Sequence, residues 1–119
     1  MDTVLHVGDI GYNLHELGIA DLFKNQIEPV ALRYPYMTVP GNHEYKFDAS
    51  NYTAWFNMPG KYYSFNMGPA HYIMLDTTVI VKKKYKKERK EELKWLEKDL
   101  KKASELGGWL IVLGHHPLY

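Results

Sequence analysis

The stretch Thr3–Tyr12, TVLHVGDIGY, decides the fold class. Its first half, "TVLHVG", is an apolar run closed by a glycine, which reads as a short buried strand. Its second half, "GDIGY", puts Asp9 and Tyr12 where that strand gives way to a loop. The same grammar appears twice more. "YMTVP" (Tyr36–Pro40) is a second strand-like run, stopped by the turn signal Pro40-Gly41 and followed by "GNHE" (Gly41–Glu44). "WLIVLG" (Trp109–Gly114) is a continuous apolar run, expected to be a strand buried on both faces, and His115 and His116 come directly after it. Residues just past strand ends are where open α/β sheets bind ligands.

The segments between these strands complete the layering. Leu14, Leu17, Leu22, Phe23, Ile27 and Val30 make an approximate apolar stripe, so a helix is expected from about Leu14 to Val30. Tyr45 to Gly60 is polar and aromatic without a period and reads as loop with a turn of helix. "YYSFNMG" (Tyr62–Gly68) and "AHYIMLDT" (Ala70–Thr77), separated by Gly68-Pro69, are expected to form an antiparallel hairpin. Lys82 to Leu106 is the clearest helix, with Leu93, Leu96, Leu100, Ala103 and Leu106 at steps of three and four and Gly107-Gly108 as its stop. The order β-α-β-ββ-α-β gives a layered α/β fold.

Bulk properties narrow the function classes. A chain of 119 residues supports one domain, and 45% hydrophobic with 14% aromatic residues is enough to build a core. No cysteine is present, which excludes disulfide and thiolate–metal frameworks. No apolar run approaches the ~20 residues of a membrane span, and Met1-Asp2 leads straight into a strand-like stretch without a signal peptide. The net charge of +1 argues against a globally basic nucleic-acid binder. The charge is uneven, however. Lys82 to Lys102 holds eleven Lys/Arg and five Asp/Glu, a local +6, against four and nine in the remainder, a net of −5. That basic segment reads as a solvated helix face with pairs such as Glu97 and Lys101. Binding of nucleic acid or steering of anionic substrates are the functional alternatives.

Several residues at the strand ends carry chemistry. Asp9, between glycines 8 and 11, is either a turn residue bonded to its own backbone or a carboxylate for a hard cation. Tyr12 alone is an ordinary amphipathic residue, but beside Asp9 a phenolate suits a ferric ion. Asn42 offers a neutral oxygen ligand, and His43 either a ligand or a proton donor to a leaving group. Adjacent residues leaving a strand point to opposite sides. Only one of His115 and His116 is therefore expected to face a shared metal, and His115 is the choice, with His116 at the rim. His6 and His71 read as structural, His15 as exposed, and Asp76 as a turn or cap residue.

In this order and spacing, "GDIGY", "GNHE" and "VLGHHPLY" resemble the purple acid phosphatases within the calcineurin-like metallophosphoesterases. "SNYTAWFNMPG", the "YYSFNMGPAHYIMLDT" hairpin and the helix leading into "WLIVLGHHPLY" extend the likeness along the chain. The resemblance implies a partial layered α/β/β/α sandwich spanning residues 1–119. It also implies a binuclear centre of Fe(III) plus a divalent iron, zinc or manganese. Asp9 would bridge the two ions, Tyr12 would bind the ferric ion, and Asn42 and His115 would bind the divalent one. His43 would be the catalytic residue beside the scissile phosphate, supported by Glu44.

The family's earlier Asp-x-Gly and later Gly-His-x-His motifs fall outside these residues, so a fragment of a catalytic domain is expected. The implied activity is acid hydrolysis of small phosphate monoesters, with neither nucleic acid nor membrane as partner. The alternative is an inactive, metal-poor remnant serving as a non-enzymatic binding module. The family is mainly secreted or lysosomal, and Asn51-Tyr52-Thr53 is a glycosylation sequon expected on a surface loop.

Overall fold

The computed structural model describes residues 2–16, 18–47 and 49–117, apart from the side chain of Phe47. Its elements are strand β1 (Val4–Val7), helix α1 (Ile19–Ala31), strand β2 (Tyr36–Val39), a 3₁₀ turn (Glu44–Phe47), helix α2 (Ser50–Phe56), strands β3 (Tyr63–Met67) and β4 (Ala70–Leu75), helices α3 (Thr77–Val81) and α4 (Lys86–Leu106), and strand β5 (Trp109–Gly114). This is a mixed α/β architecture with two sheets and helices between them, as the layered reading expects. No described helix is long and apolar enough to cross a membrane.

Two sheets result. β1 and β2 pair in parallel, with His6 opposite Thr38 and Val7 opposite Val39. Parallel neighbours need a crossover, and α1 supplies it. β3 and β4 form the expected antiparallel hairpin, Met67 opposite Ala70, across the two-residue turn Gly68-Pro69. Gly68 has φ +57°, the left-handed conformation that such a turn places on a glycine. β5 then pairs parallel to β4, Leu75 opposite Gly114, after the α3–α4 crossover. The strands β1, β2 and β5 thus lead from Val7, Val39 and Gly114 into the loops that carry Asp9, Asn42 and His115.

The core has two parts that meet at Met58. Ile10, Leu14, Ala20, Ala49 and Tyr52 form one, and Val39, Tyr63 and Met74 the other. Val39, Ile73 and Met74 are fully enclosed. Among the described residues β2 has one strand neighbour, and tyrosines satisfy part of its other edge. The hydroxyls of Tyr52 and Tyr63 both donate to the Thr38 carbonyl, at 2.9 and 2.8 Å. A buried backbone carbonyl needs such partners.

Four expectations need correction. The first helix begins at Ile19, not Leu14, because Gly18 breaks the chain with φ +82°. Leu14 is still buried, but within a turn, while Leu22 and Val30 face solvent. The core side of α1 is Ala20, Phe23 and Ile27, and Leu17 lies outside the described residues. The segment after Tyr45 is not mostly loop, since Tyr52 anchors the seven-residue helix α2. The helix expected from Lys82 starts instead at Lys86 and runs unbroken to Leu106, and a separate short helix, α3, precedes it, capped by Asp76, which accepts from the Thr78 N–H. The inward line of α4 is Glu92, Leu96, Leu100 and Ala103, with Leu93 and Leu106 exposed.

The fourth correction concerns β5. It is not buried on both faces: it lies at the edge of its sheet, and Trp109 is 73% exposed, with Leu110 and Val112 also open. Its apolar sequence matches a strand with neighbours on both sides, and β4 is its one neighbour among the described residues. The reading of α4 as a solvated face is consistent with the ion pairs Lys87–Glu91 and Glu97–Lys101, all four side chains being well exposed.

Candidate metal centre

The site is built by two loops pressed together backbone to backbone. A methyl group on Gly8 would stand 2.7 Å from Gly41 Cα, and one on Gly41 would stand 2.5 Å from both the amide nitrogen and Oδ1 of Asp9. Only glycines allow that approach. Asp9 and Tyr12 carry φ values of +54° and +52°, unusual for residues with side chains. Such conformations persist where the surroundings over-determine them. Here Ile10, wholly buried between the two, plugs the loop into the core and leaves Asp9 and Tyr12 facing outward.

Glu44 is the second fastener. One carboxylate oxygen accepts from the N–H groups of Gly41 (2.6 Å) and Asp9 (2.8 Å), and the other from Ile10 (2.8 Å). The expected support of His43 by Glu44 is therefore replaced by a larger task. The glutamate joins the Asp9 loop to the Asn42 loop through three amides. One of these bonds reaches back to the N–H of Gly41, three residues earlier.

Three of the expected ligands meet. His115 Nε2 lies 3.1 Å from Asn42 Oδ1 and 3.3 Å from Asp9 Oδ1. The opposite ring nitrogen, Nδ1, donates to the Val7 carbonyl at 2.8 Å, since a carbonyl can only accept. A neutral ring held this way presents Nε2 as a lone pair, the tautomer and buttress common to metal-bound histidines. That lone pair faces two oxygens, an arrangement of donor atoms suited to a cation among the three. The donor set, one carboxylate, one amide oxygen and one imidazole, fits a divalent ion of the iron, zinc or manganese type. Among the described residues no three His, Asp or Glu side chains cluster as a metal site, because the third member here is an amide.

His43 and Tyr12 border this centre. The His43 N–H donates to Asp9 Oδ1 (3.1 Å), its Nε2 lies 3.9 Å from Asp9 Oδ2, and its buried Nδ1 has no hydrogen-bond partner among the described residues. Tyr12 is 57% exposed and sets its ring 4.4 Å from that of His43.

The remaining histidines separate as their positions suggest. His116 turns to Thr77, whose hydroxyl accepts its N–H and contacts its Nδ1, both at 2.9 Å. Burial, then His115, then Lys82 lower its pKa. His6 contacts the Tyr36 hydroxyl, and burial lowers its pKa too. His71 is held by Asp99 and Asn66 at the hairpin, and His15 is exposed.

Over residues 1–119 the chain matches the family described as Calcineurin-like phosphoesterase. It belongs to that family. Within the calcineurin-like phosphoesterases the chain is similar to acid phosphatase type 7 of Homo sapiens, 44% identical across 99% of this chain and 29% of that protein. The same protein of Danio rerio is 41% identical across 99% of this chain and 30% of its own length. A protein named probable inactive purple acid phosphatase 9, from Arabidopsis thaliana, is 29% identical across 98% of this chain and 23% of its own length. The chain therefore spans less than a third of the length of these calcineurin-like relatives.

Proposed function

We propose that the protein is an acid phosphatase that hydrolyses small phosphate monoesters at a binuclear centre of Fe(III) and a divalent iron, zinc or manganese. The observation that carries this reading is the convergence of Asp9, Asn42 and His115, with His115 fixed by the Val7 carbonyl. Asp9, Asn42 and His115 would hold the divalent ion, and Asp9 and Tyr12 would contribute to the ferric one. When bound, such ions supply Lewis acidity toward a phosphoryl oxygen and an acidified water.

The chain's own residues do the rest. Glu44 keeps the two loops in register, so that Asp9 and Asn42 face one point. His43 stands on the same side with its Nε2 toward Asp9, where a protonated ring donates to the departing alkoxide. The Tyr12 ring, tilted against that of His43, limits how far the His43 ring can swing.

The test is hydrolysis of an aryl phosphate at acidic pH by the purified protein, with metal analysis alongside. His43→Ala is expected to lower kcat by about 10²-fold, the low end for a lost general acid. His115→Ala is expected to remove the divalent ion while the fold remains. Unchanged turnover in the first variant would refute the role of His43. Absence of tightly bound metal in the unmutated protein would favour the alternative of a metal-poor binding module.

We also place the protein in the secreted or lysosomal route as a glycoprotein. Asn51 stands in the first turn of α2 rather than on the expected loop, and it is half-buried, so it is a partly shielded acceptor. A mass decrease on treatment with an N-glycan amidase, abolished in Asn51→Gln, checks the assignment.

A further inference from the structure

β4 and β5 end together, with Leu75 opposite Gly114 as the last pair of their ladder. Past that pair one segment turns into α3, which begins at Thr77, and the other carries His115 and His116. The two turns meet at Thr77. It is buried, and its hydroxyl oxygen accepts the backbone N–H of His116 at 2.9 Å while contacting Nδ1 of the same residue at 2.9 Å. A side chain on Gly114 would collide with the Thr77 methyl group, so a glycine is needed for the turn to close on the threonine.

Thr77 is itself firmly seated. The preceding residue, Asp76, accepts from the Thr78 N–H, and its own N–H donates to the buried Glu92 of α4. His115 is held from the other side, by the Val7 carbonyl at the end of β1. The turn after β5 is thus strung between two anchors, one that ends a strand of the β1–β2 sheet and one that follows a strand of the other sheet. The first fixes the ring of His115, and the second fixes the backbone of the next residue. Between them they leave His115 Nε2 toward Asn42 and Asp9.

The hydrogen bonds also make the two histidines opposites. His115 donates from Nδ1 and keeps its lone pair on Nε2. The Thr77 oxygen already accepts the His116 N–H, so its one proton goes to the acceptor within reach, His116 Nδ1. A neutral His116 ring then carries its own proton on Nε2. The adjacent rings, edge to face at 4.9 Å, therefore hold opposite tautomers.

We propose that Thr77 is a positioning residue for the candidate metal ligand His115, which it places by gripping His116 at both backbone and ring. The inference rests on the metal-centre reading for its catalytic meaning. The ring geometry it describes needs no metal.

Two measurements test it. The first is ¹⁵N NMR of the histidine rings in EDTA at about pH 8, above the ordinary imidazole range. His115 is expected in the Nδ1–H form and His116 in the Nε2–H form. In Thr77→Val, which removes the hydroxyl and keeps the branched shape, His116 should move toward the mixture of a free imidazole. Its amide should exchange with solvent about tenfold faster, having lost its acceptor. Thr77→Ser, which keeps the hydroxyl, should behave as the unmutated protein.

The second measurement is titration of the metal-stripped protein with Co(II), followed by visible absorption. Thr77→Val is expected to weaken Co(II) binding about tenfold, the lower end for losing a group that orients a metal ligand. Thr77→Ser should keep the unmutated affinity. So should Thr78→Val, one residue on and also buried, whose hydroxyl has no partner among the described residues.

Like tautomers at His115 and His116 in the unmutated protein, a Co(II) affinity indifferent to Thr77→Val, or an equal loss in Thr78→Val would each overturn the assignment. If the unmutated protein binds no Co(II) while the tautomers respond as described, the metal-centre reading fails and the placement of His115 by Thr77 stands.

Discussion

Replacing Glu44 is the sharpest probe of how this site is held. Its carboxylate accepts three backbone N–H groups, from Gly41, Asp9 and Ile10, and it is buried. In Glu44→Ala all three donors lose a charged acceptor. Each buried orphan costs ~1–3 kcal/mol. Water entering the vacated space recovers part of this, so a total near the lower bound, about 3 kcal/mol, is expected. Glu44→Gln distinguishes the causes. Its amide oxygen can replace the carboxylate oxygen that serves Gly41 and Asp9, but its NH₂ would then face the Ile10 N–H, donor against donor. The expected loss is about half that of the alanine variant.

Urea unfolding followed by tryptophan fluorescence reads both, with an unchanged m-value showing that the same surface is exposed on unfolding. A loss below about 1 kcal/mol in Glu44→Ala, or a glutamine variant at least as damaged as the alanine one, would refute the account of Glu44 as the joint between the loops.

Other perturbations have equally definite outcomes. Gly41→Ala puts a methyl group 2.5 Å from Asp9 backbone and side-chain atoms, so the loops must part, and loss of metal binding together with a stability loss of ~2 kcal/mol or more is expected by equilibrium unfolding. Burial holds the Glu92 carboxyl up at about 8, above its unfolded value of 4.5. The folded state then binds a proton that the unfolded state gives up, so Glu92 costs nothing below about pH 4.5, and stability falls as pH rises from there toward 8. Glu92→Gln should flatten that decline and stabilise the protein by about 2 kcal/mol at pH 8 while nearly matching it at pH 4, measured by denaturant titration across pH. Tyr52→Phe and Tyr63→Phe should each cost about 1 kcal/mol, and because both hydroxyls serve the Thr38 carbonyl, a double-mutant cycle should show coupling.

Legibility in the sequence followed the range of the interactions involved. The β3–β4 hairpin was readable because two apolar runs and Gly68-Pro69 settle it locally. The inward face of α4 was not. Leu93 and Leu106 obey the helical period as well as Leu96 does, and the choice among them depends on where β4 lies. Glu92, a charged residue by sequence, is fully enclosed there because the Asp76 N–H meets its carboxyl. No periodicity argument finds a buried glutamate whose partner is a backbone amide on another element.

The candidate site divides along the same line. The sequence alone determined the strand–loop punctuation, the residue types Asp9, Tyr12, Asn42, His43 and His115, and the family these spell. Each follows from short-range pattern: an apolar run, a glycine, a polar residue. Only the tertiary structure decided that Asp9, Asn42 and His115 share one point while His116 turns to Thr77, and that Glu44 fastens backbone rather than supporting a neighbour. The physical reason is that hydrogen-bond direction is set by where chain segments far apart in sequence come to rest, and Val7 and His115, whose contact orients the ring, stand at opposite ends of the chain.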